Sequence, residues 1–161
     1  MVKLHLEKLQ ENDFDKYYRL VSDEKVMAQI TERATPLEEA KENFKKLMDR
    51  NKKHVIIGSY KVVDALTSEF IGLGYLTLSE EVAHEGEIGY MLLPAQWGKG
   101  YGTAIAERLI DLSKQANLRR LIATIDPENL ASRKILLHHK FVSEKLCEMD
   151  GLPAEVLRKE L

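Results

Sequence analysis

The segment from Glu85 to Ile125 constrains the fold more than any other part of the chain. An apolar run from Glu85 to Leu93 predicts a buried strand, and alternating glycines at 98–102 then precede an amphipathic pattern that predicts a helix to about Gln115. A second strand is predicted from Arg119 to Ile125. Strand, helix and strand in this order form a βαβ unit, which normally makes a right-handed crossover between parallel strands. The fold is therefore predicted to be mixed α and β.

Hydrophobic periodicity predicts the remaining elements. Strands are expected at Lys3–Leu9, His54–Val63 and Glu69–Ser79, helices at Asn12–Val21, from Thr35 to about Arg50 and from Asp126 through Leu136, and a closing hairpin at Phe141–Met149 and Glu155–Leu161 around Asp150-Gly151. The three strands between His54 and Leu93 are expected to form an antiparallel meander. Together these elements make a mostly antiparallel sheet of about seven strands flanked by about four helices.

Two helix starts carry capping signals. Asn12 or Asp13 is expected to cap the first helix, and Thr35-Pro36-Leu37-Glu38 combines a cap, a proline at the first helical position and a capping-box glutamate. The second of these helices is expected to bury a stripe made of Leu37, Ala40, Phe44 and Leu47.

Size, charge and cysteine content exclude several classes of protein. A chain of 161 residues without a linker-like stretch is predicted to form one domain over residues 1–161. The formal net charge of -2 gives no overall attraction to nucleic acid or to an anionic membrane. A single cysteine, Cys147, cannot form an internal disulfide, and no stretch has the length or apolarity of a membrane span. A cytoplasmic protein, monomeric or homodimeric, is expected.

The turn Gln96-Trp97-Gly98-Lys99-Gly100-Tyr101-Gly102-Thr103 is the most informative motif, because it joins a buried strand to the first turn of a long helix. Glycines let backbone amides approach an anion closely, and a helix start adds unpaired N–H groups and the positive end of the helix dipole. The turn is therefore predicted to bind phosphate or pyrophosphate. An ordinary strand-to-helix turn is the alternative.

Two common nucleotide-binding motifs do not fit this turn. A dinucleotide site needs the spacing G-x-G-x-x-G and an acidic residue about 20 positions later, whereas the next strand begins Leu118-Arg119-Arg120-Leu121. The mononucleotide motif G-x-x-x-x-G-K-[ST] is absent from the sequence. A nucleotide-binding protein is therefore disfavoured.

Two segments of the sequence resemble the GNAT superfamily of acyl-CoA-dependent N-acetyltransferases, and in particular its branch of ribosomal-protein alanine acetyltransferases. The first segment runs from Glu87 to Thr103, and the second contains Asp126-Pro127-Glu128-Asn129-Leu130-Ala131-Ser132-Arg133 and ends near Lys140-Phe141. Gly100 and Gly102 occupy the glycine positions of the superfamily's phosphate loop. Trp97 stands where the superfamily usually has Arg or Gln, as is familiar in this branch.

The resemblance implies a GNAT-like fold and assigns residues that bind acetyl-CoA. Backbone groups of Met91, Leu92 and Leu93, at a bulge in their strand, would pair with the pantetheine arm, and the strand would splay from its parallel neighbour. The turn from Gly98 to Thr103, including Lys99, Tyr101 and the glycines, would hold the pyrophosphate beside Trp97. Lys99 and Lys134 could meet the phosphate charge, and Asn129 would bond the pantetheine arm, unless it only caps its helix.

The chemistry of acyl transfer suggests further candidates. A base is needed to obtain a neutral amine, and Glu87 is the first candidate, followed by Glu85 and His84. Ser132 matches the family position that protonates the leaving thiolate, and it lies on one helix face with Asn129. The histidines show no metal-ligand spacing, so no metal is predicted. Cys147 lies in no nucleophile motif, and direct transfer is expected.

The sequence therefore predicts an acetyl-CoA-dependent N-acetyltransferase that acts on a primary amine. The competing hypothesis is a non-catalytic acyl-CoA-binding or regulatory module that keeps the cofactor cleft without an acceptor site. The region from Ser22 to Pro36 and the second helix, from Thr35 to about Arg50, are expected to line the acceptor pocket but carry no recognisable motif. A protein N-terminus, a polyamine, an amino acid and an aminoglycoside all remain open as acceptors.

Overall fold

The computed structural model describes residues 2–161, and in this part of the chain seven strands and five α-helices form one mixed layer structure. The strands are β1 (Leu4–Lys8), β2 (Gly58–Asp64), β3 (Phe70–Leu78), β4 (Glu85–Leu92), β5 (Arg120–Ile125), β6 (Val142–Met149) and β7 (Leu152–Glu160). The helices are α1 (Phe14–Val21), α2 (Glu24–Met27), α3 (Leu37–Asn51), α4 (Tyr101–Gln115) and α5 (Leu130–His138), with short 3-10 helices at Glu11–Asp13 and Pro94–Gln96.

The strands form a single sheet in the order β1-β2-β3-β4-β5-β7-β6. Every neighbouring pair is antiparallel except β4 and β5, which are parallel and are joined by the α4 crossover. The predicted mixed, mostly antiparallel sheet is therefore confirmed, as are the meander and the closing hairpin. The helix that the sequence reasoning missed is α2, a single turn capped by Asp23, whose carboxylate accepts from the N–H groups of Lys25 and Val26.

Two separate cores lie on opposite faces of the sheet. One contains Ile88, Leu121 and Leu157 of the sheet packed with Ile105 and Leu109 of α4. The other packs α1, α2 and α3 against β3, and its buried members include Leu20, Met27, Phe44, Met48 and Leu73. Because side chains alternate along a strand, each strand of the meander serves both cores.

Asp13 stands at the cap position of α1, which is one of the two positions predicted, but its side chain forms no capping bond to that helix. Its side chain is 2% exposed, and its carboxylate accepts from the Gln10 N–H at 2.8 Å and from the Lys61 ammonium at 3.0 Å. A buried carboxylate needs a charged partner, and Lys61 on β2 supplies one that the local sequence does not reveal.

The predicted start and stripe of α3 also need correction. The cap position is held by Pro36 rather than Thr35, and no side chain caps the helix. The buried residues are Ala40, Phe44 and Met48, whereas Leu37 is 41% exposed. Leu47 is half-buried and packs against this core as predicted, and Met48, one turn after Phe44, is the additional residue that is fully buried.

The predicted strand from His54 begins only at Gly58. The ammonium group of Lys8 donates to the carbonyl oxygens of Asn51, His54 and Ile57, at 3.2, 3.0 and 2.6 Å. These three bonds hold the segment from Asn51 to Ile57 around the Lys8 ammonium group. The bonded carbonyl groups therefore cannot pair with a neighbouring strand. An apolar run alone could not distinguish this loop from a strand.

Candidate active site

Strands β4 and β5 separate partway along their length. They pair in parallel from Glu85–Arg120 to Glu87–Ile122, and no pairing continues beyond that point within residues 2–161. A cavity of about 360 Å³ occupies the opening between them. We call it the cleft cavity. The splay that the resemblance implied is therefore present.

Two walls enclose the cleft cavity. One is made by β4, β5 and the start of α5, and its lining residues are Tyr75, Ile88, Gly89, Tyr90, Met91, Ala123, Thr124, Ile125, Asp126, Asn129, Ser132 and Leu136. The other is made by the segment after α2 and by the β6–β7 turn, and contributes Gln29, Ile30, Thr31, Glu32, Met149, Asp150, Leu152, Pro153 and Ala154. The first group lies where the resemblance expects the cofactor. In the second, residues 29–32 fall in the region expected to line the acceptor pocket, whereas the β6–β7 turn was not expected there.

The register of β4 decides which backbone groups face the opening. Pairing with β3 runs unbroken from Gly72–Leu92 to Leu78–Gly86, so the bulge implied by the resemblance does not interrupt this pairing. The Leu93 N–H donates to the Ile71 carbonyl at 3.0 Å, and alternation in an antiparallel pair then directs the backbone groups of Met91 towards β3 as well. Of the three residues expected to pair with pantetheine, only Leu92 directs its backbone N–H and C=O groups away from β3 and towards the opening.

Two neighbours modify this edge. By the same alternation the backbone groups of Tyr90 also face the opening. The indole N–H of Trp97 donates to the Leu92 carbonyl at 3.0 Å, although half of the Trp97 side chain is exposed. Trp97 therefore joins the phosphate loop to the end of β4. It does so through a bond from its side chain to a backbone carbonyl, which the sequence could not indicate.

The glycine-rich turn has the conformation that close anion contact requires. Gly98 and Gly100 have φ values of 74° and 87°, in the left-handed region, and Gly98 has open space where a side chain would begin. Helix α4 starts at Tyr101, so the N–H groups of its first turn have no partner within the helix. Lys99 is exposed beside them. These features fit a pyrophosphate group.

Gly102 has a different role from Gly98 and Gly100. It lies buried inside the first turn of α4, where an added Cβ would be 2.8 Å from Cδ1 of Ile135 on α5. Its small size allows the two helices to approach each other. The side chain of Thr103 is half-buried, and its carbonyl is bonded to the ring of His139 at 3.0 Å.

Side chains from the β2–β3 turn anchor both ends of the phosphate loop. The Tyr101 hydroxyl donates to the Asp64 carboxylate at 3.1 Å, and the side-chain amide of Gln96 donates to Glu69 at 3.0 Å. Gln96 is buried. Sequence reasoning missed these two supports because the partners are far apart along the chain.

Asn129 and Ser132 meet at the start of α5. The Asn129 side-chain oxygen accepts from the Ser132 N–H at 3.2 Å, which is the capping arrangement, and both residues line the cleft cavity. Contact between the Asn129 amide nitrogen and a cofactor stays a prediction. Lys134 is exposed on the same helix.

Tyr90 is a site residue that the sequence reasoning missed. Its hydroxyl is buried beside Ser132 but completes no hydrogen bond of normal geometry within residues 2–161. Burial raises the pKa of this hydroxyl, while the nearby Ser132 acts in the opposite direction. Alternation along β4 could have found it, because Tyr90 shares a face with Ile88 and Leu92.

Glu87 occupies the opposite face of β4. Burial raises the pKa of its carboxyl group, the Glu85 charge adds to this, and the Thr124 hydroxyl opposes it. Glu87 does not itself line the cleft cavity, but its neighbours Thr124 and Tyr75 do. Burial, and then the charge of Glu87, raise the pKa of Tyr75 to about 12.

The other candidate bases are placed less favourably. Glu85 is buried and forms an ion pair with Arg120 at 3.8 Å, and the exposed His84 lies in the β3–β4 turn, where its carbonyl accepts from Arg119 and Arg120. Neither residue lines the cleft cavity. Cys147 lies on β6, paired with Ala154, and is also outside the lining.

Two further properties of residues 2–161 bear on function. No three His, Cys, Asp or Glu side chains converge there to hold a metal ion. None of the described helices has both the length and the apolarity needed to cross a bilayer.

Solved structures share this architecture. A GNAT-family acetyltransferase from Bacillus anthracis superposes with a TM-score of 0.81 at 21% identity, covering 100% of this chain and 96% of the other. Spermidine N-acetyltransferase from Vibrio cholerae, solved with CoA and spermine, gives 0.82 at 20% identity, with coverage of 98% and 95%. An acetyltransferase from Salmonella typhimurium, solved with acetyl-CoA, gives 0.77 at 17% identity, with coverage of 99% and 94%.

Sequence comparisons give the family. The N-acetyltransferase p20 of Bacillus licheniformis is 33% identical over 88 residues, which is 54% of this chain and 49% of p20, so the match spans about half of that protein. The N-acetyltransferase YnaD of Bacillus subtilis is 28% identical over 136 residues, covering 83% of this chain and 76% of YnaD. The family model of the acetyltransferase (GNAT) domain matches residues 3–142. The chain therefore belongs to the GNAT acetyltransferase family.

Proposed function

We propose that this protein is an acetyl-CoA-dependent N-acetyltransferase that moves an acetyl group directly to a primary amine. The observation that carries the proposal is the convergence on one cavity of a splayed strand edge, the start of α5 and two loops from elsewhere in the chain. Two structural neighbours that contain CoA or acetyl-CoA support it.

The cofactor would be held by three parts of the chain. The free backbone edge at Tyr90 and Leu92 suits an extended amide-containing arm, and the amides after Gly98 suit the pyrophosphate. Exposed Lys99 and Lys134 are available to phosphate charge. Bound acetyl-CoA supplies an acetyl thioester at the opening between β4 and β5.

The acceptor amine must lose a proton. The overall step forms a C–N bond, breaks the C–S bond, takes one proton from the amine and returns one to the thiolate. Neutralising an α-amine at pH 7 costs about 1 kcal/mol, whereas a lysine-like amine costs roughly 4.6 kcal/mol. Glu87 takes this proton through water in our proposal, because Thr124 and Tyr75 separate its carboxylate from the cavity. Its raised pKa brings the carboxyl group closer to the operating pH, as general-base catalysis prefers.

The leaving thiolate needs modest help, because a thiol with a pKa near 8.5 is a tolerable leaving group. Ser132 and Tyr90 both line the cleft cavity, and their hydroxyl groups lie next to each other. The Tyr90 hydroxyl, buried without a partner, can donate to Ser132 while Ser132 donates to the sulfur. We therefore assign Ser132 as the direct donor and Tyr90 as the residue that orients it.

The alternative is an acyl-CoA-binding module without turnover. The second wall of the cleft cavity favours the enzyme, because it leaves space for an acceptor on the side of the opening away from α5.

Release of free thiol from acetyl-CoA, measured with and without a panel of primary amines, tests the proposal. An enzyme releases thiol in proportion to an added amine and forms the N-acetyl product. CoA binding without amine-dependent thiol release would favour the non-catalytic module.

A further inference from the structure

A second cavity, of about 300 Å³, lies on the α3 side of the sheet. We call it the α3 cavity. Its floor is formed by β2, β3 and β4, and its wall by α1 and α3, with Tyr17, Asn43, Lys46, Leu47, Arg50, Ser59, Leu73, Gly74, Tyr75, Thr77 and Met91 as lining residues. Asn43, Lys46 and Arg50 recur at helical spacing, so one face of α3 presents them to the cavity.

The side chains that line the α3 cavity carry a net positive charge, and the nearby Glu87, which is opposite Thr77 in the β3–β4 pair and beside Tyr75, lies outside the lining. Lys46 and Arg50 take part in none of the ion pairs formed within residues 2–161, and no carboxylate lines the cavity. Glu39, one turn before Asn43 on this helix face, is already held by Arg33 through two bonds of 2.9 and 3.0 Å. The floor adds the hydroxyl groups of Ser59, which is 5% exposed, and Thr77. Two unneutralised cations above polar floor residues suit an anionic group.

The cleft cavity has the opposite charge. Glu32, Asp126 and Asp150 line it, and none of its lining residues within 2–161 is Lys, Arg or His. Carboxylates around a cavity favour a cationic group such as a protonated amine. The two cavities therefore differ in sign.

Tyr75 and Met91 line both cavities and form their common boundary. The α3 cavity lies over β2, β3 and β4, and the cleft cavity lies in the opening between β4 and β5. Paired strands are about 4.8 Å apart and β4 and β5 are farther apart where they separate, so the middle of one cavity is roughly 10 Å from the middle of the other.

We propose that the α3 cavity is the anion-binding part of the acceptor site, and that the acceptor is a primary amine with an anionic group about 10 Å from its nitrogen. The inference rests on the proposed acetyltransferase function. The amine lies in the cleft cavity near the thioester, and the anionic group lies between Lys46 and Arg50. An extended tripeptide has this separation, since each residue spans about 3.3 Å.

The test compares acceptors that differ only in the anion. Trialanine with a free carboxylate is compared with trialanine amide, which measures the effect of a carboxylate. An ω-aminoalkyl phosphate of similar length is compared with the matching alkylamine, which measures the effect of a phosphate. We expect wild-type kcat/KM to be about tenfold higher with the anion, mainly through KM, because two partly exposed ion pairs are each worth a small factor.

Charge-matched variants locate the effect. Lys46→Gln with Arg50→Gln should remove the preference for the anion, so that kcat/KM for trialanine becomes equal to kcat/KM for trialanine amide in the same variant. Lys41→Gln with Lys45→Gln makes the same change in net charge on exposed parts of α3 outside the cavity, and should keep the preference. Calorimetric titration of trialanine into the CoA complex should show the same pattern without turnover.

The outcomes separate this inference from the proposed function. Equal turnover of acid and amide forms by the wild type, or a preference that survives in the Lys46 and Arg50 variant, overturns the inference alone. Absence of amine-dependent thiol release with every acceptor overturns the proposed function and the inference together. Preference for a polyamine over both anionic acceptors would also contradict the inference.

Discussion

The two walls of the cleft cavity are built in different ways. The cofactor wall is made by β4, β5 and the start of α5, and we count with it the glycine-rich turn that follows β4 and leads into α4. Within it, β4 runs directly into the turn, and β5 is followed directly by the start of α5. The acceptor wall joins two segments from opposite ends of the chain, residues 29–32 and the β6–β7 turn. Each segment contributes an acidic residue with positive φ, Glu32 at 64° and Asp150 at 51°.

The supports of the two walls differ as well. Buried side chains fix the cofactor wall: Gln96 is bonded to Glu69, and Arg133 of α5 pairs at 3.0 Å with Glu155, which is 2% exposed. The acceptor wall has Gln29, Ile30, Thr31 and Glu32 exposed. The cofactor wall is thus fixed by buried contacts. Substitutions in the acceptor wall should cost little stability, which allows acceptor specificity to vary.

Replacing the proposed base Glu87, which lies next to Thr124 and Tyr75 of the cofactor wall, should give the largest effect. Glu87→Gln is expected to keep acetyl-CoA affinity while lowering turnover about 10²- to 10⁴-fold. The loss should shrink as pH rises, because solution then supplies the neutral amine. The pH–rate profiles of both proteins with one acceptor test this. Wild-type turnover by the variant at pH 7 would exclude Glu87.

The same substitution should stabilise the fold. Burial raises the folded-state pKa of Glu87 above its ordinary value of 4.5, so the stability associated with this group is complete below that pH and is lost as pH rises through the folded-state pKa. Glu87→Gln should therefore raise the melting temperature at pH 7, and the difference should disappear in acid. A lower melting temperature of the variant than of the wild type at pH 7 would contradict the claim that burial destabilises the charged form of Glu87.

Within the cofactor wall, two glycines should respond differently. Gly100→Val forces a β-branched residue to φ 87° and should weaken CoA binding at least tenfold, since such strain costs about 1–3 kcal/mol and distorts the amides. Gly102→Val should instead lower stability by about 1–3 kcal/mol, through overpacking against Ile135.

The second substitution has an internal control. Ile135→Ala combined with Gly102→Val should recover part of the stability that the valine removes, because space opens at the contact. The same Ile135→Ala change should do nothing for CoA binding by Gly100→Val. Recovery of both variants, or of neither, would show that the two glycines do not have separate roles.

Within the acceptor wall, the smallest effects are expected. Glu32→Gln and Asp150→Asn remove exposed charges that attract the protonated amine, and exposed charge pairs are worth about 0.2–1 kcal/mol. Each should raise KM for the amine up to about fivefold, less at high salt, and leave CoA affinity unchanged. A reduced CoA affinity in either variant would contradict the assignment of Glu32 and Asp150 to the acceptor wall.

The comparison of the walls also explains what the sequence could predict. The strand, the glycine-rich turn and the helix start are local patterns, so these elements could be predicted from the sequence alone. The roles of the turn in phosphate binding and of Ser132 in proton donation stay predictions, and the second comes from the family resemblance. The β6–β7 turn, the Trp97 bond to Leu92 and the Asp64 anchor depend on contacts between distant segments, which hydrophobic periodicity does not encode. The same limit applies to Met48, whose burial follows from how α3 is rotated on the sheet.

The most direct test of the cofactor assignment is thermal unfolding with candidate ligands. At a concentration 100 times its dissociation constant, CoA should stabilise the protein by about 2.7 kcal/mol, which corresponds to a rise of roughly 5–10 °C for a domain of this size. NAD and ATP should raise the melting temperature much less at the same concentration, because β5, the strand that follows the turn and α4, contains no acidic residue to bind a ribose in the dinucleotide manner. A melting temperature unmoved by saturating CoA, or moved equally by ATP, would contradict the account.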